Sequence, residues 1–323
     1  MQIAPLGSGE FAEPVAVITG GWSQERDRSL LSGRTVQAAL TGLGISNRVL
    51  DLDGSGADLV AELTGTELAF LAIAGRGAED GRLQGLLETL GIPFTGSGVL
   101  ASAVGMNKLH AKAVVATAGV RVPRATEVDT TVSVRNEAIR INATLGSVVM
   151  VKPVAEGGSI GLRVATTVEN LATALNESGG RVMVEQFHAG RSVSVGVLEG
   201  AHGGVHVLPP LEATTPYGIY SYAAKRGKAD CRYHCPAKLS EKTLCSLKRQ
   251  AVAAHQALGC HSYSRHDFIV DGEGRAWWLE VNTLPGLSRS GNLARMAHAY
   301  GLTYEQLVLH ILRGARVDRR AQV

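Results

Sequence analysis

The stretch 263–282, YSRHDFIVDGEGRAWWLEVN, holds two apolar-rich runs on either side of the turn Asp271-Gly272-Glu273-Gly274. Asp-Gly between alternating hydrophobic residues predicts a β-hairpin, Tyr263 to Val270 and Arg275 to Asn282. Side chains alternate faces along a strand. With the four turn residues unpaired, Val270 stands opposite Arg275, and Arg265 stands opposite Glu280 with Asp267 diagonal to it. Arg265, Asp267, Glu280 and Asn282 then share one face. His266, Phe268, Val270, Trp277, Leu279 and Val281 take the other. Two carboxylates and an amide oxygen side by side are costly without a cation, and hard oxygen donors of this kind suit Mg2+. The residues alone leave two readings: a magnesium site, or a surface ion pair of Arg265 with Glu280 in which Asn282 caps the strand.

Working outward, the periodicity predicts a long helix before the hairpin, Glu241 to Leu258, and antiparallel strands at Val193 to Leu198 and Val205 to Leu208. A second region reads as a helix to about Ala118, then a strand Ser147 to Lys152. A return strand Ile160 to Val164, a helix Glu169 to Glu177 and a strand Arg181 to Phe187 follow. The first region alternates strand and helix: Val15 to Thr19, Ser29 to Leu43, Asn47 to Leu52, Asp58 to Leu63 and Leu68 to Ile73. That order predicts a parallel α/β sheet whose strand ends deliver ligands to the loops 20–28 and 75–81. The implied division is a flexible leader 1–14, an α/β lobe 15–100, a central lobe 101–189, a C-terminal lobe 190–314 and a tail 315–323.

Composition narrows the function classes. The 323 residues are 45% hydrophobic and 19% charged, an ordinary balance for a globular protein with a large core. The net charge of +3 and the absence of a dense basic run before Arg313 to Arg320 give no footprint for nucleic acid. No apolar run is long enough to cross a membrane, and no signal-peptide pattern opens the chain, so a cytoplasmic protein is expected. The four cysteines, Cys231, Cys235, Cys245 and Cys260, read as free thiols. With His234 and His261 they lack the spacing of a zinc knuckle.

The run Trp278 to Gly286, with Arg265-His266-Asp267, resembles the metal-binding segment of D-alanine–D-alanine ligases. The resemblance extends through Gly20 to Arg26, Gly75 to Gly81, Leu83 to Gly85, Phe94 to Gly98, Met106 to Lys108, Val151 to Pro153 and Cys235 to Ala237, and covers roughly Val15 to Arg313. It implies a three-lobed ATP-grasp fold of class α/β with ATP gripped between the central and C-terminal lobes. It also implies carboxylate–amine ligation through an acyl phosphate. By the same resemblance Lys108 and Lys152 meet ATP phosphates, Gly157, Gly158 and Ser159 belong to a loop folding over them, and Glu185, Phe187 and His188 form the hinge that reads adenine. Asp267, Glu280 and Asn282 hold magnesium, two ions in the family. Arg265 and the backbone of Gly286 form the oxyanion site, Lys225 belongs to a closing loop, and Glu25 receives the first amino acid's ammonium group. Small amino-acid or amine substrates and a homodimer are further implications.

The sequence departs from the family around the substrates. The family's Glu-Gly-Ser-Ser is Glu156-Gly157-Gly158-Ser159 here, and Tyr-Glu-Ala-Lys-Tyr is Tyr222-Ala223-Ala224-Lys225-Arg226. His-Gly-Arg-Gly becomes Ala74-Gly75-Arg76-Gly77. After the Pro-Gly pair comes Leu287-Ser288-Arg289-Ser290-Gly291-Asn292, with Gly291 in place of a serine that holds a substrate carboxylate. Ser192 stands where a ribose-binding glutamate is common. The nucleotide and metal residues are mostly kept, while those fitted to two small D-amino acids mostly are not. The expectation is therefore a ligase with a substrate other than, or besides, D-alanine, as in a specialised biosynthetic pathway. An ordinary D-alanine–D-alanine ligase and a non-catalytic nucleotide-binding protein are the alternatives.

Overall fold

The structure, a computed structural model, describes residues 3–7, 10–53, 56–157, 161–200, 204–214 and 231–317. Strands β1 (Val15–Gly20), β2 (Asn47–Leu52) and β3 (Ala69–Leu71) form a parallel sheet in the order β2-β1-β3. Every residue of β1 and β3 is buried, which is why both read as unbroken apolar runs. Helix α1 (Arg26–Gly42) packs against β1. Gly33 lets it come close, since a Cβ there would lie 2.6 Å from the Thr19 Cβ. Helices α2 (Gly56–Glu62) and α3 (Arg82–Thr89) complete this part.

The helix expected to run unbroken to Ala118 is two helices, α4 (Val99–Met106) and α5 (Lys108–Thr117). Asn107 takes an extended conformation between them and caps α5, its side chain accepting hydrogen bonds from the amides of Leu109 and His110. Next come β4 (Ala125–Glu127), α6 (Val134–Leu145), β5 (Val149–Pro153), β6 (Arg163–Ala165), α7 (Val168–Asn176) and β7 (Val182–Gln186). Their four strands make an antiparallel sheet, β4-β7-β5-β6. A larger antiparallel sheet, β11-β10-β8-β12-β13 with β9 beside β8, holds the rest: β8 (Arg191–Glu199), β9 (Val205–Val207), β10 (Leu211–Thr214), β11 (Arg232–His234), β12 (Tyr263–Val270) and β13 (Ala276–Asn282). Helices α8 (Glu241–Ala257), α9 (Asn292–Ala299) and α10 (Tyr304–Arg313) complete the chain.

Three cores hold these elements, and they do not follow chain order. One joins β1 to β3 and α1 with Leu284, Leu287 and the buried side of α9 and α10. Helix α10 carries six successive buried residues, Leu307 to Leu312, so apolar groups surround it rather than line one stripe. The second core sets α4, α5 and α8 on the large sheet, and the third sets α6 and α7 on the small one. The opening residues set aside above as a leader rest on the first core through Ile3, Leu6 and Phe11, and Glu10 pairs with Arg313 at 2.6 Å. No helix among the described residues is long and apolar enough to cross a membrane.

The decisive hairpin forms, but in a different register. Val270 pairs with Ala276 rather than Arg275, and Arg265 stands opposite Asn282 rather than Glu280, which faces Asp267. The turn takes a fifth residue because Asp271 holds it together: its carboxylate accepts from the amides of Glu273 and Arg275, and its amide donates to the Arg275 carbonyl. A β-bulge between Asp267 and Phe268 then absorbs Leu279 as the extra residue. The bulge changes which face Trp277 and Leu279 occupy. Trp278, not Trp277, pairs with Phe268 on the buried face and is fully enclosed, while Leu279 lines a cavity.

Candidate active site

A cavity of about 360 Å³ lies between the two antiparallel sheets. It is lined by Lys108, Lys152, Glu185, Phe187, His188, Ser192, Asp267 and Glu280, eight of the residues singled out from sequence. The chain reaches it from four directions: the start of α5, the end of β5, the link from β7 to β8, and the β12–β13 hairpin. Asn282 and Gly157 line a small neighbouring cavity with Glu79, Lys108 and Glu280. Gly158, Ser159, Lys225 and Arg226 lie outside the described residues.

The lysines are held by carboxylates. Glu185 is 4% exposed and accepts from Lys152 Nζ at 2.6 Å and pairs with Lys112 Nζ at 3.0 Å. Burial raises its pKa, but the two ammonium groups outweigh burial and hold the carboxyl below its ordinary value. Glu185 thus holds both lysines at the cavity wall. Lys112 was missed in the sequence. Burial lowers its pKa to about 8 against the pull of Glu185. Its signal was its place one helical turn after Lys108, on the same side of α5. Lys108 pairs with Glu280 at 3.4 Å and donates to the Glu156 carbonyl.

On the hairpin, Arg265 grips Asp267 with two parallel hydrogen bonds, Nε and Nη2 each at 2.9 Å. The surface pair of Arg265 with Glu280 is therefore replaced by an Arg265–Asp267 pair at the cavity. Ser194 donates to Asp267 Oδ1 at 2.6 Å and Asn282 Nδ2 to Oδ2 at 3.3 Å. Asp267 and Glu280 face each other across the strands beside Asn282. These are hard oxygen donors at a cavity mouth, and Arg265 and Lys108 share their charge, so the set fits Mg2+. Among the described residues no cluster of three His, Cys, Asp or Glu side chains stands ready for a metal, and the four cysteines are free.

Beneath the hairpin, Trp278 Nε1 donates to His266 Nδ1 at 3.1 Å. His266 Nε2 therefore carries the proton and donates to Ser264, whose hydroxyl donates to His255 Nδ1 at 2.7 Å. Burial holds His266 neutral, consistent with that order. The network fixes the strand from which Arg265 and Asp267 project.

At the other end of the cavity the His188 ring stacks on Trp277, centroids 3.9 Å apart and 14° from parallel, and Arg121 covers the Trp277 ring at 5.5 Å. Trp277 thereby supports a cavity wall that sequence reading turned away from the site. Trp277→Ala is expected to raise the KM for ATP about threefold to tenfold, the size of one lost ring contact, as measured by ADP release at saturating second substrate.

Glu25 ends the loop before α1, 7% exposed. Its Oε2 is packed so close to Gly157 and Gly75 that a Cβ on either would fall 2.5 and 3.4 Å from it. Its Oε1 accepts from Arg28 Nη1 at 2.6 Å. Gly286 lies beside the same guanidinium, and Ser32 of α1 accepts from the Leu287 amide at 3.1 Å. Glu25, Gly157 and Gly286, distant in sequence, thus converge. Gly291 precedes α9 with no side-chain cap, Asn292 begins that helix, and Ser290 is exposed.

Glu79, another residue the sequence reading passed over, accepts from the amides of Gly75 at 2.6 Å and Leu284 at 3.3 Å. Burial, with the Glu25 charge adding to it, pushes its carboxyl up to about 7. The folded protein then holds this proton where the unfolded chain has released it. The stability it contributes is full below pH 4.5 and is lost as pH rises to 7. Glu79→Gln is expected to flatten the fall in melting temperature across that window, measured by thermal unfolding at half-unit pH steps.

Residues 114–313 match the family model described as the C-terminus of D-ala D-ala ligase. A D-alanine–D-alanine ligase of Ectopseudomonas mendocina is 40% identical over 303 residues, 92% of this chain and 93% of that protein. The chain belongs to the D-alanine–D-alanine ligase family. The counterpart from Alkalilimnicola ehrlichii is 38% identical over 94% of each chain. Among solved structures, the Bacillus anthracis D-alanine–D-alanine ligase complexed with ATP superposes with a TM-score of 0.80 at 26% identity, covering 93% of this chain and 96% of that one. The VanG D-Ala:D-Ser ligase of Enterococcus faecalis gives 0.80 at 25% identity, covering 93% and 98%. This member of the family has the ATP-grasp fold and is a ligase that forms a carbon–nitrogen bond with ATP.

Proposed function

We propose that the enzyme phosphorylates the carboxylate of one amino acid and joins it to the amine of a second, and that at least one of the two is not D-alanine. The supporting observation is an imbalance within the site. The nucleotide end is assembled, with Lys108, Lys152, Asp267 and Glu280 around one cavity. The substrate end offers a bare Gly291 where family members present a hydroxyl to a carboxylate. A site without that donor leaves a buried substrate oxygen unpaired, at a cost of about 1–3 kcal/mol.

The chemistry follows from the groups present. A carboxylate oxygen attacks the γ-phosphorus and ADP leaves. Lys152, oriented by Glu185, and Lys108 neutralise charge on the transferring phosphoryl group. Asp267, Glu280 and Asn282 would hold magnesium, which supplies charge neutralisation on the phosphates when bound. The amine then attacks the acyl carbon, and Arg265 with the Gly286 N–H stabilises the tetrahedral oxyanion. Phosphate departs with the original carboxylate oxygen, and the amine loses a proton. Two metal ions, a cytoplasmic setting, a homodimer and a place in a specialised pathway belong to the same reading.

A second reading is the D-alanine–D-alanine ligase of peptidoglycan synthesis, favoured by near full-length identity of about 40% to proteins of that name. ADP release over D- and L-amino acids, singly and in pairs, with mass spectrometry of the products, separates the two. Highest turnover with a pair containing another amino acid supports the proposal. Highest turnover with D-alanine alone supports the second reading, and ADP release unmoved by every amino acid contradicts both.

A further inference from the structure

The pair Glu25–Arg28 sits within the proposed amino-acid site, and one half of it is already spent. Glu25 Oε1 accepts from Arg28 Nη1 at 2.6 Å, and Oε2 is packed against the Gly157 and Gly75 backbones. An incoming ammonium group would meet a carboxylate that already has a cation. Two like charges a few ångströms apart in a half-buried site repel. The other prong of the guanidinium is turned differently: Arg28 Nη2 lies 3.7 Å from where a Cβ on Gly286 would stand, and among the described residues it has no hydrogen-bond partner. Its side chain is 35% exposed, so a ligand can reach it. It therefore stands between the carboxylate proposed to receive the ammonium and the backbone proposed to receive the oxyanion.

We infer that Arg28 determines specificity, and that the first amino acid carries an acceptor on its side chain, a carboxylate or carboxamide, which binds the open edge of this guanidinium. The inference rests on the proposed role of Glu25 and deepens it. Such a substrate bridges the pair: its ammonium goes to Glu25, its side-chain oxygen to Arg28, and each charge on the enzyme keeps a partner. Alanine supplies the ammonium alone and leaves the like charges facing each other. A charge-assisted hydrogen bond gained by one substrate and missing from the other corresponds to about tenfold or more in kcat/KM. Both the sign and the reach of the residue follow from its place in the first turn of α1, one step along the helix face from Glu25.

The test compares kcat/KM for amino-acid-dependent ADP release with D-aspartate, D-asparagine and D-alanine, and their L-enantiomers, in the wild-type enzyme, Arg28→Leu and Arg28→Lys. The wild type is expected to favour an acceptor-bearing amino acid over alanine by about tenfold or more. R28L reverses that order, and R28K, which keeps the charge but not the two-pronged donor, falls between them. R28K also serves where R28L lowers the yield of folded protein. A wild type that favours alanine, or a preference unchanged within about twofold in both variants, overturns the inference while leaving the ligase reading intact. ADP release unmoved by any amino acid, with ATP still bound, overturns the ligase reading and the inference together.

Discussion

Arg265→Met is expected to lower turnover by about 10²–10³-fold, the cost of removing one oxyanion donor. The reason is geometric. Arg265 is 8% exposed, anchored through Nε and Nη2 on Asp267, and held in place by a strand whose buried side is locked by the His266–Ser264–His255 network. A donor fixed before the reaction does not reorganise when charge develops on the carbonyl oxygen, and that is the contribution proposed for Arg265. Methionine keeps the bulk and removes the fork. ATP affinity, measured by calorimetry, should stay within about threefold, because the loss falls on a step after nucleotide binding. Arg265→Lys should recover only part of the rate, since an ammonium cannot make both bonds to Asp267. An equal loss in ATP affinity and turnover would assign Arg265 to nucleotide binding instead.

The second large effect is on stability. Glu185→Gln removes the one carboxylate shared by Lys112 and Lys152, whose side chains are each 5% exposed. Breaking a buried ion pair from one side costs about 3–5 kcal/mol, because the remaining charges stay desolvated. The pH dependence has a definite sign. Lys112 already has its pKa lowered to about 8 by burial. Between that value and 10.5 the unfolded chain binds more protons than the folded one, so its contribution to stability rises with pH. Without Glu185 the window opens at a lower pH. The variant should therefore melt well below the wild type at pH 7 and regain part of the difference toward pH 9. Wild-type Glu185 works in the opposite range: its carboxyl is held low, so the stability it contributes is present above its unfolded pKa and is lost as pH falls. Thermal unfolding from about pH 3 to 10 reads both slopes.

Much of this site was legible because its residues cluster in short motifs. Arg265 with Asp267, and Glu280 with Asn282, lie two apart, so one strand alternation puts each pair on a single face. The pairing between the strands was not legible, because the Asp271 turn and the Leu279 bulge are set by hydrogen bonds and packing rather than by alternation. That bulge is why Trp277 was placed on the wrong face and its support of His188 overlooked. Helix α6 escaped notice although Ala138, Ile141 and Leu145 carry a helical spacing. Its exposed face mixes Asn136, Arg140 and Thr144 with Ile139, which blurs the pattern. Lys112, Glu79 and Arg28 were invisible as site residues for a different reason. Each looks like a solvated charge in the sequence and is given its role by a partner far away in the chain or by enclosure: Glu185 for Lys112, Leu284 for Glu79, Gly286 for Arg28.

The proposed reaction turns on the formation of an acyl phosphate in the cavity between the two sheets. That step moves one carboxylate oxygen of the amino acid onto phosphate. Supplying the reactive amino acid with both carboxylate oxygens labelled as ¹⁸O, together with unlabelled ATP, and reading the phosphate by mass spectrometry tests it directly. The expected result is one labelled oxygen in each phosphate released, in step with ADP formation. Phosphate that carries no label while product and ADP accumulate would contradict the mechanism, since the carboxylate would then have been activated by another route.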